Sequence, residues 1–154
     1  MFAGQPICLN DFLQRFYEDN RPDMELFGQS FRLELPQEQL IVSGNAERLR
    51  SALENLCYNA VSFTPEDGTI SLSLRENDGK AAISVTDTGA GIAPEDLPRV
   101  FDRGFTNRPD GSGEGLGLFI VRATALEHGG TVEVRSQLGM GSVFTLRLPT
   151  VPNG

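Results

Sequence analysis

Asp87-Thr88-Gly89-Ala90-Gly91-Ile92 and, further on, Gly111-Ser112-Gly113-Glu114-Gly115-Leu116-Gly117-Leu118 decide how this sequence is read. The first stretch follows an alternating run, Ala82-Ile83-Ser84-Val85, so an aspartate stands where a strand ends. The second runs into Leu116, Phe119, Ile120, Ala123 and Leu126, an apolar stripe at helical spacing. Glycines ahead of a helix leave backbone N–H groups unobstructed at the positive end of its dipole, where an anion such as phosphate is stabilised. A carboxylate at a strand end together with an anion cradle suits a nucleotide.

Better-known nucleotide signatures are absent. There is no G-x-x-x-x-G-K-[ST], and glycines spaced by two at 111, 113, 115 and 117 do not fit G-x-G-x-x-G. The protein-kinase catalytic-loop and D-F-G signatures are missing as well. With 154 residues, 39% of them hydrophobic, the chain reads as a single domain over 1–154. A net charge of −8 argues against a nucleic-acid partner, which needs clustered Lys and Arg. No apolar run approaches the roughly 20 residues that span a bilayer, and no signal peptide opens the chain, so no membrane contact by this domain is expected. Cys8 and Cys57, placed in two different helices, read as reduced packing residues of a cytoplasmic protein. A single histidine gives no basis for structural zinc.

Taken in order, residues 1–6 read as a ragged end, and Leu9, Phe12, Leu13 and Phe16 as one face of a helix over 7–17 that starts near Asn10 or Asp11. Residues 18–29, with Pro22 and Gly28, read as a loop. Strands are expected at 31–35 and 40–42. Asn45 can cap the next helix, although Arg48 stands where a capping-box glutamate belongs. Along that helix Leu49, Ala52, Leu53, Leu56, Ala60 and Phe63 form a stripe, with Asn55, Asn59 and Ser62 together on its edge and Glu54 turned away. Two amides at i and i+4 beside a core face need partners, which neighbouring backbone, a ligand or a metal can each supply. Strands at 69–75 and 80–86 joined by a hairpin turn, a helical turn at 94–97, a helix at 115–127 and a hairpin of 131–134 with 143–148 complete the pattern. Arg99, Arg103 and Arg108 gather within an otherwise acidic chain, either as solvated charges or to meet phosphates. His128, before Gly129-Gly130, reads as a helix-end residue rather than a catalyst.

Five elements now stand in order: Asn55-Leu56-Cys57-Tyr58-Asn59-Ala60, Asp87 to Ile92, Phe101 with Phe105, Gly113 to Leu118, and Gly139-Met140-Gly141-Ser142. Over residues 7–149 the chain resembles the catalytic ATP-binding domain of sensor histidine kinases, in the superfamily of gyrase B, heat-shock and mismatch-repair ATPases. The resemblance implies an α/β two-layer sandwich, a mixed sheet covered on one face by about three helices, with an ATP lid at 102–114. It implies ATP and Mg²⁺ as cofactors. Asp87 would accept from the adenine amino group, and Gly89 and Gly91 would let the base lie against backbone. Asn59 would ligate Mg²⁺ and Asn55 would face the phosphates, these two forming the catalytic pair. Phe101 and Phe105 would hinge the lid, and the backbone of Gly113, Gly115 and Leu116 would hold phosphate. Ile92, Gly117 and Ser142 belong to the same nucleotide-binding motifs. The implied reaction is transfer of the γ-phosphoryl group to a histidine on a separate dimerisation domain, in a two-component pathway with a response regulator. The domain by itself is then expected to be a monomer, the cytoplasmic part of a membrane-bound sensor.

Two positions depart from the family pattern. Ser62 stands where a basic residue is usual, leaving Arg103 or Arg108 to compensate, and it supports the alternative of a degenerate regulatory module. Asn55 occupies the place of the hydrolases' glutamate base, which disfavours a gyrase-type ATPase. The segment 102–114 has little apolar surface besides Phe105, so its amides are expected to gain protection from hydrogen exchange when a triphosphate supplies partners. Exchange compared among ligand-free, adenosine-bound and ATP-analogue samples should show that gain only with the triphosphate. Equal protection in all three contradicts a lid.

Overall fold

The computed structural model describes residues 4–103 and 117–151. Strand alternation sets its architecture. Ile70, Leu72 and Leu74 of β4 (Thr69–Asn77), Ala81, Ile83 and Val85 of β5 (Lys80–Asp87), and Phe144, Leu146 and Leu148 of β7 (Gly141–Pro149) all point to one side and are buried. Intervening residues are mostly polar: on the other face the Ser84 and Thr145 hydroxyls meet at 3.0 Å, and Arg147 pairs with Glu133 of β6 (Thr131–Gln137). A sheet with one apolar face needs a cover. Three helices supply it: α1 (Leu9–Met24), α2 (Ala46–Phe63) and α3 (Gly117–Glu127). The result is the expected two-layer α/β sandwich.

With β1 (Gln5–Cys8), β2 (Ser30–Glu34) and β3 (Ile41–Gly44), the strands form two sheets. The main one runs β2-β4-β5-β7-β6, with β2 parallel to β4 and every other neighbour antiparallel, so it is mixed. A second, antiparallel pair joins β1 to β3. The β4–β5 hairpin turns on Asp78 and Gly79, both at positive φ (55° and 76°), the Asp-Gly turn whose twist matches the flanking strands.

The amino-terminal part departs from its sequence reading. Residues 5 and 6 are not a ragged end but pair with Gly44 and Ser43, and Cys8 belongs to a strand rather than a helix. Helix α1 runs to Met24, through Pro22 and most of the segment read as a loop. Burial accounts for this: Met24 is 2% exposed, and the buried Asn20 amide donates to Phe16 O at 2.9 Å. Packing there outweighs the propensities of a polar, proline-containing stretch. Helix α3 also buries a different face from the stripe marked out in its sequence. Val121, Thr124 and Ala125 are buried, whereas Ile120 and Leu126 are 39% and 64% exposed. The helix is apolar nearly all round, so periodicity could not choose the face.

Asn10 does not cap α1. It lies in the first turn, and its side chain pins the 36–40 segment: Nδ2 donates to Pro36 O (3.2 Å) and Glu38 O (2.9 Å), and Oδ1 accepts from Leu40 N (2.9 Å). Asn10→Ala leaves those backbone groups short of partners and should cost about 1–3 kcal/mol. Urea unfolding of the parent and variant measures it, and a change within error removes Asn10 from any role in holding β3.

Candidate functional site

Asp87 ends β5 at 5% exposure, and its Oδ1 accepts from Gly89 N at 2.9 Å. The register aligns Ile70, Asp87, Ser142 and Ser136 across four strands, on the helix-facing side of the sheet. Burial pushes the Asp87 carboxyl above its ordinary value, while backbone N–H groups of Gly89 and Ser142 pull it back only in part. A desolvated acceptor of this kind favours a donor beside it.

The loop after Asp87 is fixed on both sides. Ala90 N donates to Phe63 O at 3.3 Å, satisfying a carbonyl left open at the end of α2. On the other side Gly139 N donates to Ala90 O at 2.8 Å, and Ile92 N donates to Ser136 Oγ at 2.7 Å. A Cβ on Gly89 would collide with Phe63 O, and one on Gly91, at φ +79°, with Gln137 O. Backbone therefore approaches backbone too closely at both positions for any side chain, a constraint from within the fold that is separate from the base contact expected of Gly89 and Gly91.

Asn55 and Asn59 lie half-buried on the edge of α2, beside the stripe formed by Leu49, Ala52, Leu53, Leu56 and Ala60. Neither amide makes a hydrogen bond among the described residues. Gly117, the first residue of α3, faces Asn55: a Cβ there would sit 3.7 Å from Asn55 Oδ1. The structure thus brings the start of α3 to the amide edge of α2. Asn45 caps α2 by accepting from Arg48 N at 3.0 Å. Phe101 packs edge-on to Phe144, centroids 6.0 Å apart, and Ile92 is 7% exposed. Arg103 is exposed, and Arg99 pairs with Asp96 at 3.2 Å. Phe105, Arg108, Gly113, Gly115 and Leu116, with all of 104–114 of the expected lid, lie outside the described residues.

Ser62 Oγ donates to Tyr58 O at 3.0 Å, so it turns back on its own helix. His128 is buried with Nδ1 against Thr124 O (2.8 Å) and Nε2 accepting from Asn45 N (3.0 Å). Both ring nitrogens are engaged, Nδ1 with the last turn of α3 itself and Nε2 joining that end to the start of α2. The buried Cys57 thiol is pushed up to about 12, chiefly by desolvation and secondarily by Glu54, which makes it inert. A shallow depression of about 310 Å³ touches Asp87 and Ser142, but Thr86, Val143 and Arg135 also line it. Those three belong to the opposite row, so the depression wraps the end of the sheet. Two site features escaped the sequence reading, the Phe63 carbonyl and Ser136. Carrying the alternation of Val132 and Val134 one step further would have put a polar Ser136 in the core-facing row beside the glycine turn.

Residues 44–152 match the family of histidine kinase-, DNA gyrase B- and HSP90-like ATPases. The chain belongs to this family. Within it, the domain is of the ATP-binding catalytic type found in sensor histidine kinases. It is 45% identical over 117 residues to the sensor-like histidine kinase SenX3 of Mycobacterium tuberculosis, a match spanning 73% of this chain and 28% of that protein. Full-length ShkA in complex with AMPPNP superposes with a TM-score of 0.87 at 30% identity, over 99% of this chain and 32% of that one. The histidine kinase ThkA in complex with the response regulator TrrA gives 0.80 at 26% identity, over 97% and 42%. The chain therefore spans about a quarter of SenX3 and less than half of either structure.

The raised pKa of Asp87 has two consequences of opposite sign. In the ligand-free protein it adds stability below the unfolded-chain value, and that contribution is lost as pH rises through the folded value. An amine beside Asp87 would need the carboxylate, so if adenine binds there, nucleotide affinity should fall as pH drops through the raised value. The fall should begin at higher pH than an ordinary aspartate gives. Calorimetry across the mildly acid range should show this decline in the parent and a flatter profile in Asp87→Asn. Identical profiles would exclude Asp87 as the titrating group.

Proposed function

We propose that this domain binds ATP with Mg²⁺ and transfers the γ-phosphoryl group to a histidine on a dimerisation domain outside the chain. The observation that carries this reading is the pair of half-buried amides, Asn55 and Asn59, without partners among the described residues, on the α2 edge that meets the start of α3. In this reading Asp87 accepts from the adenine amine, the Gly89–Gly91 backbone bounds the base, and Ile92, Phe101 and Ser142 complete the pocket. Phosphates lie between Asn55 and the residues leading into Gly117, including Gly113, Gly115 and Leu116. Arg103 or Arg108 supplies charge in place of the cation absent at Ser62, and 102–114, hinged at Phe101 and Phe105, closes over the ligand.

The donors fit Mg²⁺. Among the described residues no cluster of three or more His, Cys, Asp or Glu side chains stands ready for a metal. Mg²⁺ suits such a site, because it keeps waters and substrate phosphates and takes few protein ligands. Asn59, through its amide oxygen, is the residue that would hold it, and the ion would offset charge on the phosphates. The protein's own part is positioning. Asp87 fixes the base, Asn55 orients the phosphates, and the entering imidazole nitrogen forms a bond to phosphorus as the bond to the ADP oxygen breaks. His128 is not the acceptor, since both of its ring nitrogens are committed inside the fold. The acceptor belongs to a partner, and a response regulator then receives the phosphoryl group in a two-component pathway. ThkA's complex with TrrA supports a response regulator as a partner. We place the domain, as a monomer, in the cytoplasmic part of a membrane-bound sensor; among the described residues no helix is long and apolar enough to cross a membrane.

One observation favours a second reading. The Ser62 hydroxyl is spent on Tyr58 O and brings no positive charge, which suits a nucleotide-binding regulatory module without transfer. A single series separates the two. The parent and Asn59→Ala are assayed for ATP binding with and without Mg²⁺, and for phosphorylation of a supplied dimerisation domain. Metal-dependent binding and transfer, both reduced about ten-fold or more in Asn59→Ala, are expected. Binding unaffected by a chelator refutes the role of Asn59, and binding without transfer selects the regulatory module.

A further inference from the structure

Ser136 Oγ has three polar neighbours at bonding distance: Ile92 N at 2.7 Å, Gly141 O at 2.9 Å and Ser142 Oγ at 2.9 Å. A hydroxyl carries one proton and two lone pairs. Ile92 N–H can only donate, and Gly141 O can only accept. The Ser136 proton therefore goes to Gly141 O, since any other placement leaves two oxygens facing each other at 2.9 Å with no hydrogen between them. One lone pair takes the Ile92 N–H, and the other is left for Ser142. The direction of the Ser142–Ser136 bond follows: Ser142 donates its only proton to Ser136.

Ser142 pairs with Asp87 across β5 and β7, in the same helix-facing row, and is 7% exposed. With its proton committed, it offers only lone pairs to a group beside Asp87. The ionised carboxylate likewise offers only lone pairs. Two adjacent acceptors, with no hydroxyl free to turn round, favour an amine and oppose a carbonyl oxygen. We infer that Ser136 is a positioning residue for nucleotide selection: by fixing the proton of Ser142, it tunes the site for a purine with an amino rather than an oxo group at position 6. This deepens the nucleotide-binding reading above and rests on it. Ser136 also holds Ile92 N, so it joins the loop after Asp87 to the β6–β7 turn as well as setting hydrogen-bond polarity.

The test compares ATP with inosine triphosphate, which carries an oxo group in place of the amine. Affinities for both are measured by calorimetry for the parent, Ser136→Ala, Ser136→Thr and Ser142→Ala, with melting temperature followed in parallel. The parent should prefer ATP. Ser136→Ala should bind ATP about ten-fold more weakly and inosine triphosphate no more weakly, because the freed Ser142 hydroxyl can now donate. Ser136→Thr, which keeps the hydroxyl, should restore the preference. Ser142→Ala should narrow the ratio, and the double variant Ser136→Ala/Ser142→Ala should narrow it no further than Ser136→Ala alone. A purely structural Ser136 lowers the melting temperature and weakens both nucleotides alike, and that result overturns the inference. An unchanged ratio in Ser136→Ala and Ser142→Ala also overturns it, and Ser142→Ala carries the test alone if Ser136→Ala does not fold. A parent that prefers neither nucleotide refutes the underlying assignment of Asp87 instead.

Discussion

Burial of one face of α2 against β4 and β5 is the constraint on which the site depends. Leu49, Ala52, Leu53, Leu56, Cys57 and Ala60 are all buried, and this fixes the rotation of the helix about its axis. At about 100° per residue, that rotation leaves Asn55 and Asn59 at the border of the apolar stripe, neither immersed nor free in solvent. The same packing brings the last turn of α2 to the sheet's end, where Phe63 O receives Ala90 N. Its first turn is joined to the end of α3 through Asn45 N and His128 Nε2. The start of α3 then falls opposite Asn55, so one buried helix face aligns the amides, the loop after Asp87 and the helix start.

Much of this was legible because the local signals agreed with the tertiary result. Strict alternation located β4 and β5, Asp87 sat at a strand end, and the stripe of α2 was broken by amides only along its edge. Gly89 and Gly91 were picked out for a base expected to lie against them, whereas the structure gives a reason internal to the fold, the two carbonyls that a Cβ would meet. What stayed hidden depended on partners distant in sequence. Gln5 to Cys8 form a strand only because β3 lies alongside, and α1 passes Pro22 only because Met24 and Asn20 are buried. Helix α3 gave the wrong face, since its sequence is apolar nearly all round and more than one stripe can be drawn on it. Ser136 was overlooked because a serine in a β-strand is unremarkable until Ile92, Gly141 and Ser142 converge on it.

The distribution of satisfied and unsatisfied polar groups argues for the location of the site independently of any motif. Buried polar side chains away from α2's amide edge are mostly completed by the protein itself. Asn10 has three partners, Asn20 bonds Phe16 O, Thr64 Oγ1 donates to Ala60 O, and His128 uses both nitrogens. Gln29 is met halfway, its Nε2 bonded to Thr64 O and its Oε1 without a partner in the buried interior. Along the line from Asn55 and Asn59 to Asp87 the pattern reverses. The amides have no partner among the described residues, and the carboxylate is desolvated faster than its two backbone donors offset. Half-buried amides of this kind are open to a partner from outside the fold. Here the line carries a desolvated carboxylate that can accept from an amine at one end and half-buried amides beside a helix start at the other. In the proposed reading a purine nucleotide has the amine and the anion at matching ends, so the polarity of the line would orient it, base toward Asp87 and phosphates toward α3.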